Sequence, residues 1–251
     1  MNSKTVMVLF FLGIYSFAWT QIFKDSIASV VNKKYQFNYK QIIVPAALFG
    51  YGIFGLENHQ IQLFNSGISE EVNEHIDEKI SIDDFSQYLP VASVYGLSVL
   101  GVQGKHNFKD KTIIVATSYL IMGLAVNTFK LTSTVERPDK TSLNSFPSGH
   151  TATAFMGAEL LYQEYKDVSV WYGISGYLIA TGTGVFRMYN NRHWLSDVVA
   201  GAGVGILSAK AGYWLYPVAS KIFNKKNNKN KTVFVPFYDG NTAGFGLVSK
   251  F

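Results

Sequence analysis

Phe146-Pro147-Ser148-Gly149-His150-Thr151 decides how this chain reads. From His150 the sequence runs on as an apolar helix through Ala152, Ala154, Phe155 and Met156, so a tight turn delivers a histidine into a first helical turn. Ser148 and Gly149 stand where that helix begins. Their N–H groups and the Ser148 hydroxyl face an anion with the helix dipole behind them, and Gly149 allows a close backbone approach.

Two further sets of residues bracket the turn: Lys130 to Pro138 upstream and Arg187 to Asp197 downstream. Together they supply Lys130, Arg137 and Arg187 as fixed positive donors, His150 and His193 as near-neutral bases, and Asp197 as a carboxylate. Phosphoryl transfer needs that set: charge spread over three equatorial oxygens must be stabilised, an in-line nucleophile supplied and the leaving oxygen protonated. Arginine's planar fork suits two phosphate oxygens and lysine adds a point charge. Asp197 follows His193 by four residues, a spacing that puts both on one helix face. A carboxylate there fixes the imidazole tautomer and leaves the other nitrogen free to attack phosphorus. His150 is then the general acid.

The patterns K-x6-R-P at Lys130 to Pro138, P-S-G-H at Pro147 to His150 and R-x5-H-x3-D at Arg187 to Asp197 resemble the three signatures of the type 2 phosphatidic acid phosphatase (PAP2) superfamily. The resemblance implies an all-α, six-helix bundle and a phosphohistidine mechanism without metal or other cofactor. It implies His193 as nucleophile, Asp197 as its orienting partner, His150 as leaving-group acid, and Lys130, Arg137, Ser148, Gly149 and Arg187 as the phosphate cradle. One position departs from the family: the small hydroxyl residue usual before the third-motif arginine is Phe186 here.

The composition sets bounds. The chain has 251 residues, 48% hydrophobic and 15% aromatic, enough for one sizeable core. It has no cysteine, which excludes disulfides and thiolate metal sites. The net charge of +5 is scattered or near helix ends, and nucleic acid is not the expected partner. Residues 1–20, with an apolar run from Val6 to Ala18, read as a secretory signal peptide or an uncleaved anchor. Residues 21–220 read as the helical domain, and 221–251 as a basic linker with a β-hairpin tail.

Six apolar runs are expected to be helices: Ile42 to Leu56, Leu89 to Val102, Thr112 to Phe129, Thr151 to Tyr162, Val168 to Phe186 and Val198 to Ala219. The third, fifth and sixth approach the length needed to cross a bilayer. The small-residue stretches Gly173-Ile-Ser-Gly176, Gly182-Thr-Gly184 and Ala200 to Gly205 predict close helix packing. Lysines at 105, 109, 111 and 166, and those after Lys221, fall on one side of such a bundle. The positive-inside tendency makes that side cytoplasmic and turns the three signatures outward, toward the periplasm.

Glu57 to Gln87 holds eight of the seventeen acidic residues, with Ile68, Val72, Ile76 and Ile80 recurring every four. It reads as an amphipathic helix on the signature side, either a lid or lipid ramp or a solvated packing helix. His59 and His75 belong to no close histidine-carboxylate cluster in sequence, so no metal site is expected. Glu159 and Lys210 lie in apolar runs; they either pair or Lys210 reaches back toward the polar face. In the tail, Val233 to Tyr238 and Ala243 to Phe251 flank Asp239-Gly-Asn as hairpin arms.

The expected substrate is a lipid phosphate or pyrophosphate at a bacterial envelope membrane, the inner one before the outer. A broad-specificity periplasmic acid phosphatase and a non-catalytic scaffold or transporter are the alternatives. Oligomeric state has no signal in the sequence.

Overall fold

The computed structural model describes residues 38–74, 81–224, 231–238 and 243–250, all within one compact unit, Gln36–Phe251. Among them are eight helices: α1 (Lys40–Gly55), α2 (His59–Asn73), α3 (Ile82–Ser86), α4 (Leu89–Val99), α5 (Phe108–Thr132), α6 (Gly149–Tyr165), α7 (Val170–Tyr189) and α8 (Leu195–Asn224). The six apolar runs correspond to α1 and α4 to α8. The acidic stretch from Glu57 to Gln87, read as one amphipathic helix beside those six, carries two described helices, α2 and α3. Residues 1–20, His75, Ile76 and Ile80 lie outside the described residues.

Local chemistry sets the helix starts. The side chains of Asn58, Asn107, Ser148 and Ser169 accept from backbone N–H groups in the first turns of α2, α5, α6 and α7, filling donors that a helix start leaves open. α6 is the centre of the bundle, packed against α4, α7 and α8. It is buried on nearly every side, with Ala152, Ala154, Met156, Ala158, Leu160 and Tyr165 essentially inaccessible, as a helix apolar all round must be.

The small residues of α8 let three neighbours close in. A Cβ on Gly205 would come within 2.2 Å of the Ala152 carbonyl oxygen, and one on Gly203 within 2.6 Å of the Pro45 carbonyl oxygen on α1. A Cβ on Gly212 would stand 2.0 Å from the Ser118 hydroxyl on α5. α5 is two-faced. Ile114, Ser118, Met122 and Val126, four residues apart, are buried, while Leu120, Leu124 and Leu131 are exposed.

Further large apolar side chains are exposed on α1 (Val44, Phe54), α7 (Trp171, Leu178) and α8 (Val218, Ile222), a surface suited to hydrocarbon rather than to water. Two described helices are long and apolar enough to cross a membrane, Phe108–Thr132 and Leu195–Ile222. α7 is expected to join them but does not. Its 20 residues interleave Gly, Ser, Thr and Tyr among the aliphatics, which dilutes its hydropathy.

Glu159 and Lys210 pair. Lys210 Nζ donates to Glu159 Oε1 at 2.6 Å, Gln163 donates to the same oxygen at 2.7 Å, and the Tyr177 hydroxyl donates to Oε2. Every lone pair that matters on this buried carboxylate is engaged, which makes an ion inside an apolar bundle tolerable. Beyond α8, which runs past Lys221 into the predicted linker as far as Asn224, strands β1 (Lys231–Tyr238) and β2 (Ala243–Lys250) pair antiparallel, Lys231 opposite Lys250 and Tyr238 opposite Ala243. Their connecting turn lies outside the described residues.

Candidate active site

The C-terminal ends of α5 and α7 and the N-terminal ends of α6 and α8 carry the three signatures, and α3 lies alongside. Loop hydrogen bonds hold them in register. The Ser145 amide donates to the Val135 carbonyl at 3.0 Å, and Lys130 Nζ donates to the Asn144 carbonyl at 3.1 Å. These bonds tie the first signature to the second. The Ser148 amide donates to the Asp197 carbonyl at 3.0 Å and ties the second to the third. Trp194 Nε1 reaches the Glu136 carbonyl at 2.8 Å, and Arg192 pairs with Asp139 at 3.0 Å, closing the ring. Asn191 sits at φ 57°, a left-handed conformation that asparagine tolerates, in the turn that presents His193.

Every residue given a catalytic or phosphate-binding role from sequence falls in this region. Ser148 is buried as the N-cap of α6, and Gly149 is its first residue. A Cβ at Gly149 would meet only Val126 Cγ1, at 3.7 Å, so packing against the protein does not require glycine there. Lys130, Arg137 and Arg187 feel one another's charge. Burial, then the nearby Arg187 and Arg192, lower the pKa of Arg137. Arg137 Nε and Arg187 Nε are buried with no hydrogen-bond partner. Unsatisfied buried donors are rare and need a reason, and two of them on guanidinium groups crowded by like charge are the signature of an anion site.

His193 and Asp197 are both fully buried, but their contact differs from the sequence expectation. Nδ1 and Oδ2 stand 3.7 Å apart, too far for a hydrogen bond. Oδ2 is taken by two other donors: the Ser145 hydroxyl at 2.5 Å and the Trp194 amide at 3.0 Å. The second bond has a local cause. Asp197 is the third residue of α8 and its carboxylate reaches back to the helix's capping position, as in half of a capping box. Ser145 Oγ also lies 3.4 Å from His193 Nδ1. With its proton given to Asp197, that oxygen accepts from Nδ1–H, so Nε2 keeps its lone pair. Burial pushes His193 down to about 4, with Arg187 and Lys130 acting the same way and Asp197 opposing them. The ring is therefore neutral at ordinary pH.

Three site residues carried no signal that the sequence reading used. Ser145 is one. Asp83 and Asp84 of α3 are the others. Asp83, 1% exposed, accepts from Arg187 NH1 at 2.5 Å and from Asn190 at 2.8 Å. It fixes the guanidinium while leaving Nε uncommitted. Asp84 Oδ1 lies 3.0 Å from His150 Nε2 and 3.9 Å from Arg187 NH1. Burial and then Arg187 lower the His150 pKa, and Asp84 and Asp83 work against them.

The adjacency of two acids on a short helix was a usable clue to anchoring. Asp83, Asp84 and His150 also form the histidine-carboxylate cluster that the sequence does not show, with one potential ligand atom from each within 4.8 Å of the others. Its histidine is neither of the two weighed from sequence, and 66 residues separate Asp84 from His150. Asp83 is already committed to Arg187 and Asn190. A cavity of about 250 Å³ borders Asp197, lined also by Leu56, Gln62, Asn65, Trp194 and Ser196.

A family model described as the PAP2 superfamily matches residues 111–221. The lipid A 1-phosphatase of Porphyromonas gingivalis is 44% identical over 135 residues, covering 53% of this chain and 30% of that protein. The bacitracin transport permease protein BcrC of Bacillus licheniformis is 35% identical over 79 residues, 32% of this chain and 37% of that protein. The chain thus spans about a third of the length of these curated relatives. Two crystal structures also overlay on it. LpxE of Aquifex aeolicus has a TM-score of 0.47 at 22% identity, over 60% of this chain and 94% of that one. A transmembrane PAP2 type phosphatidylglycerolphosphate phosphatase from Bacillus subtilis has a TM-score of 0.40 at 20% identity, over 73% and 98%. The similarity to the PAP2 superfamily thus lies in residues 111–221, the stretch that carries all three signatures.

Proposed function

We propose that the protein is a metal-independent membrane phosphatase that removes a phosphate from a lipid through a phosphohistidine at His193. The observation that carries this reading is the pair of buried, unpartnered guanidinium N–H groups of Arg137 and Arg187 beside a buried, neutral His193. An anion with several oxygens satisfies those donors, and a neutral imidazole with a free Nε2 lone pair attacks its phosphorus.

In the first step His193 Nε2 forms the P–N bond as the P–O bond to the lipid breaks. The departing electron pair goes to oxygen, and His150 supplies the proton that releases the alcohol. In the second, a water attacks the phosphohistidine, neutral His150 takes its proton, and the P–N electron pair returns to His193. Lys130, Arg137 and Arg187 hold the equatorial oxygens throughout, with the Ser148 and Gly149 end of α6 facing the same charge. Asp197 and Ser145 hold the ring tautomer that makes Nε2 the nucleophile.

The exposed leucines of α5 and the two span-length helices support a bilayer location. The name of the Porphyromonas gingivalis relative makes the 1-phosphate of lipid A the first substrate to try. The lysine-rich helix ends lie opposite the site, which supports an active site facing the periplasm from the inner membrane. A transport role has one specific observation in its favour, the similarity to a bacitracin transport permease.

The test is phosphate release by detergent-purified full chain in EDTA, from lipid A, phosphatidate, phosphatidylglycerol phosphate, undecaprenyl pyrophosphate and a small soluble ester, beside His193→Ala. Turnover of a lipid substrate that survives EDTA and vanishes in the variant is expected. Dependence on added metal, or no release from any substrate, overturns the reading and leaves transport as its successor.

A further inference from the structure

We propose that Asp84 is a positioning residue for the general acid: it holds His150 through Nε2, turns Nδ1 toward the substrate, and keeps the imidazole in the protonated form that the leaving oxygen needs. The role rests on the phosphatase reading above. His150 has a problem that the fold must solve. It sits at the positive end of α6, partly buried, beside Arg187, and each of these disfavours an imidazolium. An acid that is neutral at working pH has no proton to give.

The groups facing His150 are Arg187 from α7 and the two carboxylates of α3. Asp83 is committed elsewhere: its two oxygens accept from Arg187 and Asn190. Of the two carboxylates, Asp84 is the one within hydrogen-bond distance of the ring, at 3.0 Å from Nε2. A carboxylate on one imidazole nitrogen favours the cation and orients the other nitrogen, as the aspartate of a hydrolase triad does for its base. α3 is placed for the task by Asp83, whose bonds to Arg187 and Asn190 pin it against α7, and by the Ser86 hydroxyl, 2.8 Å from that of Thr183. One short helix therefore orients a phosphate ligand through its first acid and the general acid through its second.

The step it serves is the departure of the alkoxide. The P–O electron pair moves onto oxygen, the Nδ1 proton of imidazolium follows it, and His150 is left neutral with Asp84 still on Nε2. A leaving group that is stable as an anion does not need that proton, and this makes the role separable from simple structural support.

The experiment compares wild type with Asp84→Asn, Asp84→Ala and Asp84→Glu on n-dodecyl phosphate and on p-nitrophenyl phosphate, in EDTA. It also follows the His150 imidazole by NMR titration. The neutral variants are expected to lose roughly tenfold in kcat on the alkyl ester and less than about twofold on the aryl ester. The alkaline limb of the alkyl-ester pH profile and the His150 titration should both move to lower pH, since removing the anion disfavours the cation, while Asp84→Glu restores much of both. Equal losses on the two esters, or an unmoved His150 titration, overturn the proposal while leaving the phosphatase reading intact. If wild type releases phosphate neither from these esters nor from any of the lipids named above, the phosphatase reading fails and this role fails with it.

Discussion

The site contains two histidine-carboxylate pairs, and they are built in opposite ways. His193 and Asp197 are four residues apart, fully buried and 3.7 Å from each other, with the Ser145 hydroxyl lying between their polar atoms. His150 and Asp84 come from distant parts of the chain, sit at the site's edge with side chains 29% and 55% exposed, and meet directly at 3.0 Å. The contrast follows from what each ring must do. A nucleophile must be neutral, so burial beside Arg187 and Lys130 is an advantage and a hydroxyl spacer keeps the carboxylate from over-stabilising the cation. An acid must be charged, so it takes a direct carboxylate and partial solvent.

The largest effect that sharpens this contrast is loss of the rings themselves. His193→Ala is expected to reduce phosphate release by at least about a thousandfold for every ester. His150→Ala should cost about a hundredfold on an alkyl ester and less on p-nitrophenyl phosphate, where only its water-activating role is lost. Similar losses for both variants on both esters would erase the division of labour.

Next come the groups behind the nucleophile. Asp197→Asn is expected to lower turnover by about a hundredfold, and Ser145→Ala by roughly tenfold, through misorientation of His193. A Ser145→Ala enzyme with wild-type turnover would show that the hydroxyl bridge is incidental.

The pH profile of kcat/KM should place the two rings on opposite limbs. Neutral His193 is required, so activity rises with pH through about 4; protonated His150 is required, so activity falls again below the ordinary histidine value. Removing the Asp197 charge should move only the acid limb downward, and removing the Asp84 charge only the alkaline one. A single variant that moves both limbs would break the comparison.

How much of this was legible in the sequence follows the same division. Lys130, Arg137, Ser148, Gly149, Arg187, His193 and Asp197 announce themselves because three short signatures hold them at fixed spacings. Asp84 does not, since its partner lies 66 residues on and its own segment reads as one acidic amphipathic helix. That segment is α2 and α3, and α2 buries a polar residue, Asn65 on Ser196 at 2.8 Å, while Leu63 and Phe64 stay exposed. A four-residue apolar period cannot register a polar anchor.

Ser145, three residues before the N-cap of α6, lacks any periodicity or charge to mark its role. The glycines of α8 were legible as packing because close approach is a local demand, whereas the split role of α3 exists only once α6 and α7 are assembled around it.

The smallest expected effect lies away from the chemistry. Glu159→Gln and Lys210→Met should each destabilise by about 3 kcal/mol in detergent, because each strands a buried charge, and the double variant should cost less than the two together. Catalysis per folded molecule should stay at the wild-type level. Additive losses in thermal unfolding would mean that the pair seen in the bundle contributes no coupling.

The most direct test of the account is a rapid-quench experiment with lipid substrate labelled at phosphorus, stopped in alkali, where phosphohistidine survives, and followed by mapping of the labelled residue. The account expects transient label on His193 Nε2, lost in His193→Ala and accumulating when hydrolysis is slowed. Turnover with label on another residue, or undiminished turnover in His193→Ala, would contradict it.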